Sequence, residues 1–219
     1  MEQKNFLFVT MHSMVQDMAW RVKKEGHNVK YYTKDIEQKE VGMGFFPLVE
    51  DWEKEIDWAD IIIFDDVGLG EKVKALRKKG KLVIGGTPYT DKLEENKTFG
   101  QEELKNAGIS IIPYADFNSF DEAIKFVEEN PDRYVLKPSG KVQYDKGLSF
   151  IGEEKMGKDM IQVLNDYNKA WSKKIVNFQL QKRIFGVEVA VGAFFNGNEF
   201  IFPICVNFEH KRLFPGDLG

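Results

Sequence analysis

The sequence holds a single cysteine, Cys205, so no disulfide can form within the chain and a small cystine-stapled fold is excluded. That usage fits a reducing compartment, and a cytoplasmic protein is expected. No apolar run approaches the roughly 18 residues that span a bilayer, and the apolar part of the opening MEQKNFLFVT is too short for a secretory signal. Excess positive charge is missing too. With 31 Lys and Arg against 35 Asp and Glu, the formal net charge is −4 and the pI is near 5.6, which speaks against a general nucleic-acid binder. Repeats and low-complexity tracts are absent. Glycine is absent from the first strand-to-helix turn, Thr10-Met11-His12-Ser13, so the dinucleotide fingerprint is missing and NAD or FAD is not expected there.

What is present is enough apolar material for packed cores. The 219 residues exceed one typical domain, and 42% are hydrophobic, with 18 phenylalanines. Residues 5–10 read as a short apolar strand. Ser13 can then N-cap a helix carrying Met14, Met18, Trp20 and Val22, which Gly26 ends. A strand over 28–32, the buried-type strand DIIIFD over 60–65, a basic amphipathic helix over 71–79 and a strand over 81–84 follow. Strands that alternate with helices and are apolar throughout imply an α/β fold with a Rossmann-like parallel sheet. His12 falls at the carboxyl end of the first strand, where such sheets bind ligands, although a lone His is more often incidental. The Gly-Gly-Thr-Pro cluster at 85–88 marks a boundary, giving a domain over 1–88 and a second region over 89–219.

In that second region the pattern predicts helices over 91–107, 119–129 and 158–167. Strands are predicted over 109–113, 134–137, 148–151, 175–181, 187–195 and 200–208, the last two joined by an Asn196-Gly197-Asn198 turn. The stretch 133–147, RYVLKPSGKVQYDKG, carries the chemistry. A β-rich run delivers Lys137 to a strand end, Pro138 stops the ladder, and Ser139, Gly140, Lys146 and Gly147 bracket a loop. Glycines that free backbone N–H groups, beside two ammonium groups, suit a polyphosphate; the plain alternative is a hairpin with solvated lysines. Glu188 interrupts an apolar strand, where a buried carboxylate needs a partner or a ligand, unless it faces solvent. The set Glu209-His210-Lys211-Arg212 concentrates ionisable groups ahead of Pro215-Gly216-Asp217-Leu218-Gly219, and the chain reads as breaking off inside a glycine-rich loop.

LEENKTF at 93–99, YVLKPSG at 134–140, Lys146-Gly147, GVEVAV at 186–191 and EHKRLFPGDLG at 209–219 occur in an order that resembles the ATP-grasp ligases. Within these the sequence is most similar to the phosphoribosylamine–glycine ligases, the GAR synthetases of purine synthesis. The likeness covers most of 85–219 and, more loosely, the parallel sheet ahead of it. It implies a Rossmann-like (pre-ATP-grasp) sheet followed by an incomplete ATP-grasp α+β region. It implies an ATP-dependent, C–N bond-forming ligase that works through an acyl phosphate, with Mg²⁺, a carboxylate such as glycine and an amine such as phosphoribosylamine, and no nucleic-acid or membrane partner.

Carried over by position, the resemblance makes Lys97 and Lys137 the lysines that hold the ATP phosphates. Gly140, Lys146 and Gly147 belong to the loop that closes over them. Gln181 meets adenine, Glu188 binds the ribose hydroxyls, and His210, Lys211, Arg212 and Asp217 line the place where acyl phosphate meets amine. Three features depart from the family pattern. Gln181 stands where Glu is usual. Asp145 replaces a glycine in a loop one residue longer. Residues 11–17, MHSMVQD, replace the glycine-rich turn that receives the phosphate of phosphoribosylamine. The family's metal-binding Glu and Asn lie beyond Gly219, so no metal ligand is expected within the chain. Two other readings stand beside the ligase: a non-catalytic nucleotide-binding or assembly module, and an ATP-grasp ligase for a different amine.

Overall fold

The computed structural model describes residues 2–142 and 145–209. The chain divides into two compact units, Met1–Ile111 and Ile112–Gly219.

The first unit is built on β1 (Asn5–Thr10), α1 (Gln16–Lys24), β2 (Asn28–Thr33), β3 (Ile61–Phe64), α2 (Gly70–Lys78) and β4 (Leu82–Ile84). The strands lie in the order β2-β1-β3-β4, and every pair is parallel. Parallel strands covered on both faces need apolar side chains at successive positions, and β1 supplies them. Leu7 and Val9 pack with Trp52, Ile62, Phe64, Val73 and Leu76 on one face. Phe8 packs with Ala19, Val29, Tyr31, Phe46 and Ile63 on the other. Each such side chain contributes about 1.5–3 kcal/mol through burial.

Two expectations for this unit need correction. Ser13 does not cap α1. It adopts φ 49°, and its N–H donates to Thr10 Oγ1 at 2.9 Å, so the turn tightens on the end of β1 and the helix begins after Val15 with no side-chain cap. The helix expected over 91–107 is two helices, α3 (Pro88–Glu95) and α4 (Lys97–Asn106). Asn96 is extended between them (φ −111°, ψ 93°), and its side chain accepts the Phe99 N–H at 3.0 Å. An Asn that caps a new helix competes with continuing the old one. These helices belong to the first unit. The Gly70 N–H donates to Asp91 Oδ2 at 2.7 Å, and a Cβ at Gly70 would stand 2.3 Å from the Thr87 carbonyl carbon. The start of α3 is thus fixed onto the start of α2, and the division between the two compact units falls after α4.

The second unit contains β5 (Tyr114–Phe117), α5 (Phe120–Glu129), β6 (Tyr134–Pro138), β7 (Phe150–Ile151), α6 (Lys158–Trp171) and β8 (Phe178–Lys182). The sheet order is β5-β8-β6-β7, antiparallel throughout. Two strands sit later than expected. Pro113 has no N–H to donate, so pairing starts after it, with its carbonyl taking the Lys182 N–H at 2.8 Å. Ile175 instead closes α6, its N–H donating to the Trp171 carbonyl at 2.8 Å. Phe120, Ala123 and Val127 of α5 and Met160 and Leu164 of α6 cover Tyr134, Leu136, Phe178 and Leu180. The Phe120 and Phe178 rings stack at 4.7 Å. A separate antiparallel pair, β9 (Glu188–Phe195) and β10 (Phe200–Glu209), completes the described chain.

Candidate nucleotide site

Both helices of the second unit lie on one face of its four-stranded sheet, and the ladder register decides which residues occupy the other. Lys137 stands opposite Gln179, and Gln181 stands opposite both Val135 and Tyr114. Directly paired residues share a face, and neighbours along a strand alternate. Leu136, Leu180 and Phe178 therefore point to α5 and α6, while Lys137, Gln179 and Gln181 share the opposite face. Gln179 and Gln181 are nevertheless buried, 0% and 6% exposed. Gln181 Nε2 donates to Gln179 Oε1 at 3.0 Å, as amides withdrawn from water require. Such a face sets the Lys137 side chain beside one of two hydrogen-bonded amides.

β6 ends at Pro138, and the Ser139 N–H is taken by the Asn177 carbonyl at 2.9 Å. Gly140 follows at φ 73°. A Cβ there would meet no atom within 4 Å, so what calls for glycine is its left-handed backbone rather than space. Gly140–Val142 and Lys146–Leu148 form short 3₁₀ turns. Between them Asp145 pairs with Lys174 at 3.0 Å and lies 3.4 Å from where a Cβ at Gly147 would be. The side chain of Lys146 lies outside the described part of the structure.

The remaining expected residues are dispersed. Lys97 opens α4 in the first unit, at the N-terminus that Asn96 caps. Glu188 opens β9, exposed and opposite Glu209 in the register, so it is not a carboxylate sealed among apolar side chains. His210, Lys211, Arg212 and Asp217 lie outside the described residues. A cleft of about 400 Å³ in the second unit, lined by Tyr114, Tyr134, Asn130, Leu180 and Lys182 among others, includes none of the expected residues.

Three groups were not singled out from sequence. Gln179 lies in a strand read from the sequence without a role of its own; its alternation with Phe178 and Leu180 was the available signal. Asp65 and Asp66 end the DIIIFDD run and read only as a strand terminus. Both Asp65 carboxylate oxygens are buried without a hydrogen-bond partner. Burial, and then the charge of Asp66, push the Asp65 carboxyl up to about 6. His12 Nδ1 lies 3.7 Å from Asp35 Oδ2 at the same edge of the sheet, with its side chain 65% exposed. Among the described residues, no group of three or more His, Cys, Asp or Glu could hold a metal ion. No described helix is long and apolar enough to cross a membrane.

Residues 95–219 match the family described as phosphoribosylglycinamide synthetase, ATP-grasp (A) domain. The chain is 28% identical over 145 residues to a phosphoribosylamine–glycine ligase of Helicobacter pylori, covering 66% of this chain and 31% of that one. It is 27% identical over 171 residues to the ligase of that name from Streptococcus pyogenes, covering 76% and 39%. The chain therefore spans between 31% and 39% of the length of these two relatives. Among solved structures, a phosphoribosylamine–glycine ligase from Thermotoga maritima superposes with a TM-score of 0.66 at 18% identity, over 98% of this chain and 52% of that one. N5-carboxyaminoimidazole synthetase from Staphylococcus aureus, complexed with ADP, superposes with a TM-score of 0.61 at 16% identity, over 96% and 56%. These likenesses identify the fold as that of ATP-grasp ligases. The family match takes in more than half of the sequence, β6, its glycine loop and β8 included, and the chain belongs to the phosphoribosylglycinamide synthetase ATP-grasp (A) domain family.

Proposed function

We propose that the protein acts as an ATP-dependent carboxylate–amine ligase that, like its named relatives, joins glycine to phosphoribosylamine. The observation that carries this reading is the register that sets Lys137 and Gln181 on the face of the sheet opposite α5 and α6, within the segment matching the family. In this reading a substrate carboxylate oxygen attacks the γ-phosphorus of ATP, ADP leaves, and the resulting acyl phosphate is captured by the amine with loss of phosphate.

Each residue then has a bounded task. Lys137, held by a paired strand, places its ammonium group against phosphate oxygens and offsets charge that builds during transfer. Lys97 and Lys146 supply further positive charge, and Gly140 and Gly147 let the loop backbone turn its N–H groups inward. The Gln181 amide meets adenine and Glu188 the ribose hydroxyls. His210, Lys211, Arg212 and Asp217 serve the acyl-transfer end. Mg²⁺ is the usual companion of ATP in such chemistry, but the described residues provide no acidic cluster that fits it, and no step is derived through the metal.

The test is ADP release that depends on both glycine and phosphoribosylamine, measured for a protein that carries this chain within a ligase of its relatives' full length, since the 219 residues alone are expected to be incomplete for catalysis, and for its Lys137→Ala variant. Amine-dependent ADP release that is lost in the variant, with its circular dichroism unchanged, is expected. Release that is the same in both proteins overturns the assignment.

A further inference from the structure

The cleft of about 400 Å³ in the second unit takes no part in the ligase reading. Tyr134, Leu180 and Phe126 bound it, and all three pack in the cluster under α5 and α6, so it opens on the face of the sheet opposite Lys137, Gln179 and Gln181. Register and residue size create the space. Ala115 pairs with Leu180 and Lys182 with Tyr134, which puts all four on that face. The methyl group of Ala115 leaves open what a larger side chain on β5 would fill, and the ladder stops beside it at Pro113, whose carbonyl takes the Lys182 N–H at 2.8 Å. Phe126 and Tyr134 meet at 5.8 Å to form an aromatic wall. The Tyr134 hydroxyl is fixed there by donating to the Asn130 carbonyl at 2.6 Å.

Charge marks the rim. Lys182 Nζ and Asp132 Oδ2 pair at 2.6 Å, with both side chains reaching solvent, and Asp132 Oδ1 takes the Arg133 N–H at 2.8 Å. An ammonium group has three donors and a carboxylate several acceptor sites, so the pair can bind further groups without opening. A ligand with one sign of charge is attracted by one member and repelled by the other. A ligand with both signs matches each in turn. The volume falls within the roughly 300–1,000 Å³ of small-molecule sites, and an apolar, partly aromatic wall beside a few placed polar groups is their usual make-up. Rings meeting edge to face gain more than their buried area alone supplies.

We propose that this cleft binds a small aromatic zwitterion, an α-amino acid with a single ring, whose carboxylate meets Lys182, whose ammonium group meets Asp132 and whose ring rests against Phe126 and Tyr134. The site goes beyond the ligase reading and does not depend on it. It shares β8 with Gln179 and Gln181 but lies across the sheet from them.

The experiment is calorimetric titration of the full 219-residue chain with L-phenylalanine, hydrocinnamate, phenethylamine and L-alanine. L-Phenylalanine is expected to bind. Hydrocinnamate lacks the ammonium group and phenethylamine the carboxylate, so each should bind more weakly by roughly tenfold or more, the effect of losing one hydrogen bond to a charged group. L-Alanine, which has no ring, should give no heat of binding. Lys182→Gln should weaken L-phenylalanine to the same degree, and Ala115→Leu, which fills the cleft, should abolish its binding. Lys182 is exposed, so its replacement keeps the fold, as circular dichroism checks. The proposal is overturned if L-phenylalanine does not bind, if any of the other three compounds binds as tightly, or if folded Lys182→Gln or folded Ala115→Leu binds it as the wild type does. A failure to bind an ATP analogue bears on the ligase reading alone.

Discussion

Lys137 and Gln179 face each other directly across the antiparallel ladder of β6 and β8, a cation beside a buried amide on the side of the sheet opposite α5 and α6. Because the strand holds Lys137 in place, little ordering cost is subtracted from its contact with phosphate. Removing a charge-assisted hydrogen bond of this kind costs on the order of 1.5–3 kcal/mol. Lys137→Ala should therefore weaken an ATP analogue by roughly one to two orders of magnitude in calorimetric titration. The urea midpoint should hardly move, because the side chain takes no part in the core.

The amide pair on β8 can be tested without any ligand. Replacing Gln179 or Gln181 singly by Leu removes the hydrogen bond between the two buried amides, at a cost of roughly 1–3 kcal/mol. The double replacement removes both polar groups and should cost less than the two single changes added together. Urea unfolding of the four proteins reads the coupling, and strict additivity would show that the 3.0 Å bond contributes nothing to stability.

Asp65 makes stability depend on pH in an unusual direction. Its carboxyl is raised from 3.8 to about 6, so across that window the folded chain holds a proton that the unfolded chain has released. Stability is then fully present below the unfolded value and is lost as pH rises through the folded one, opposite to a salt-bridged carboxylate. Asp65→Asn should flatten this part of the profile and raise stability at pH 7 by on the order of 1–3 kcal/mol. Chemical denaturation at about pH 4.5, 5.5 and 7 checks both slope and sign.

Gly70 leaves no room for a side chain, because the atoms nearest an added Cβ are backbone and cannot yield. A Cβ at that position would lie 2.5 Å from both the Pro88 nitrogen and the Thr87 oxygen. Gly70→Ala should lower the stability of the first unit by several kcal/mol, on the order of 2–4, as a forced clash in a packed site does. The loss should be visible as early exchange of the β1 and β3 amides. A variant as stable as the wild type would mean that α3 moves off α2 freely.

The parts of the fold that are legible in the sequence are those fixed by local composition. NFLFVT and DIIIFD are apolar at successive positions because both faces of the parallel sheet are covered, and Phe120, Ala123 and Val127 repeat at helical spacing because α5 buries one stripe. Lys137 is legible because a strand that ends in Pro138 announces where its side chain sits. Three features needed tertiary information. The run over 109–113 has strand-forming residues, but its ladder begins only beyond Pro113. Asn96 breaks a stretch whose composition is helical throughout. The polar groups of Gln179 and Asp65 look like surface residues until the register and the sheet edge show them buried.

The break at Asn96 has a geometric consequence for the residue that follows it. In an unbroken α-helix each residue is rotated by about 100° from the last, so the heading of Lys97 would be dictated by the apolar stripe of α3. Starting a new helix cancels that phase, and α4 is aimed instead by its own contacts with α3. Gly100 is held so near the Leu93 carbonyl oxygen that a Cβ would stand 2.6 Å from it. The Phe99 ring meets Tyr89 edge-on at 5.7 Å and lies under the Lys92 ammonium at 3.8 Å. The elbow therefore acts as a goniometer: its angle is set by Gly100 and the ring pair, and the bearing of Lys97 is read from it. A lysine placed this way can be re-aimed by changes several residues away that leave the lysine itself untouched.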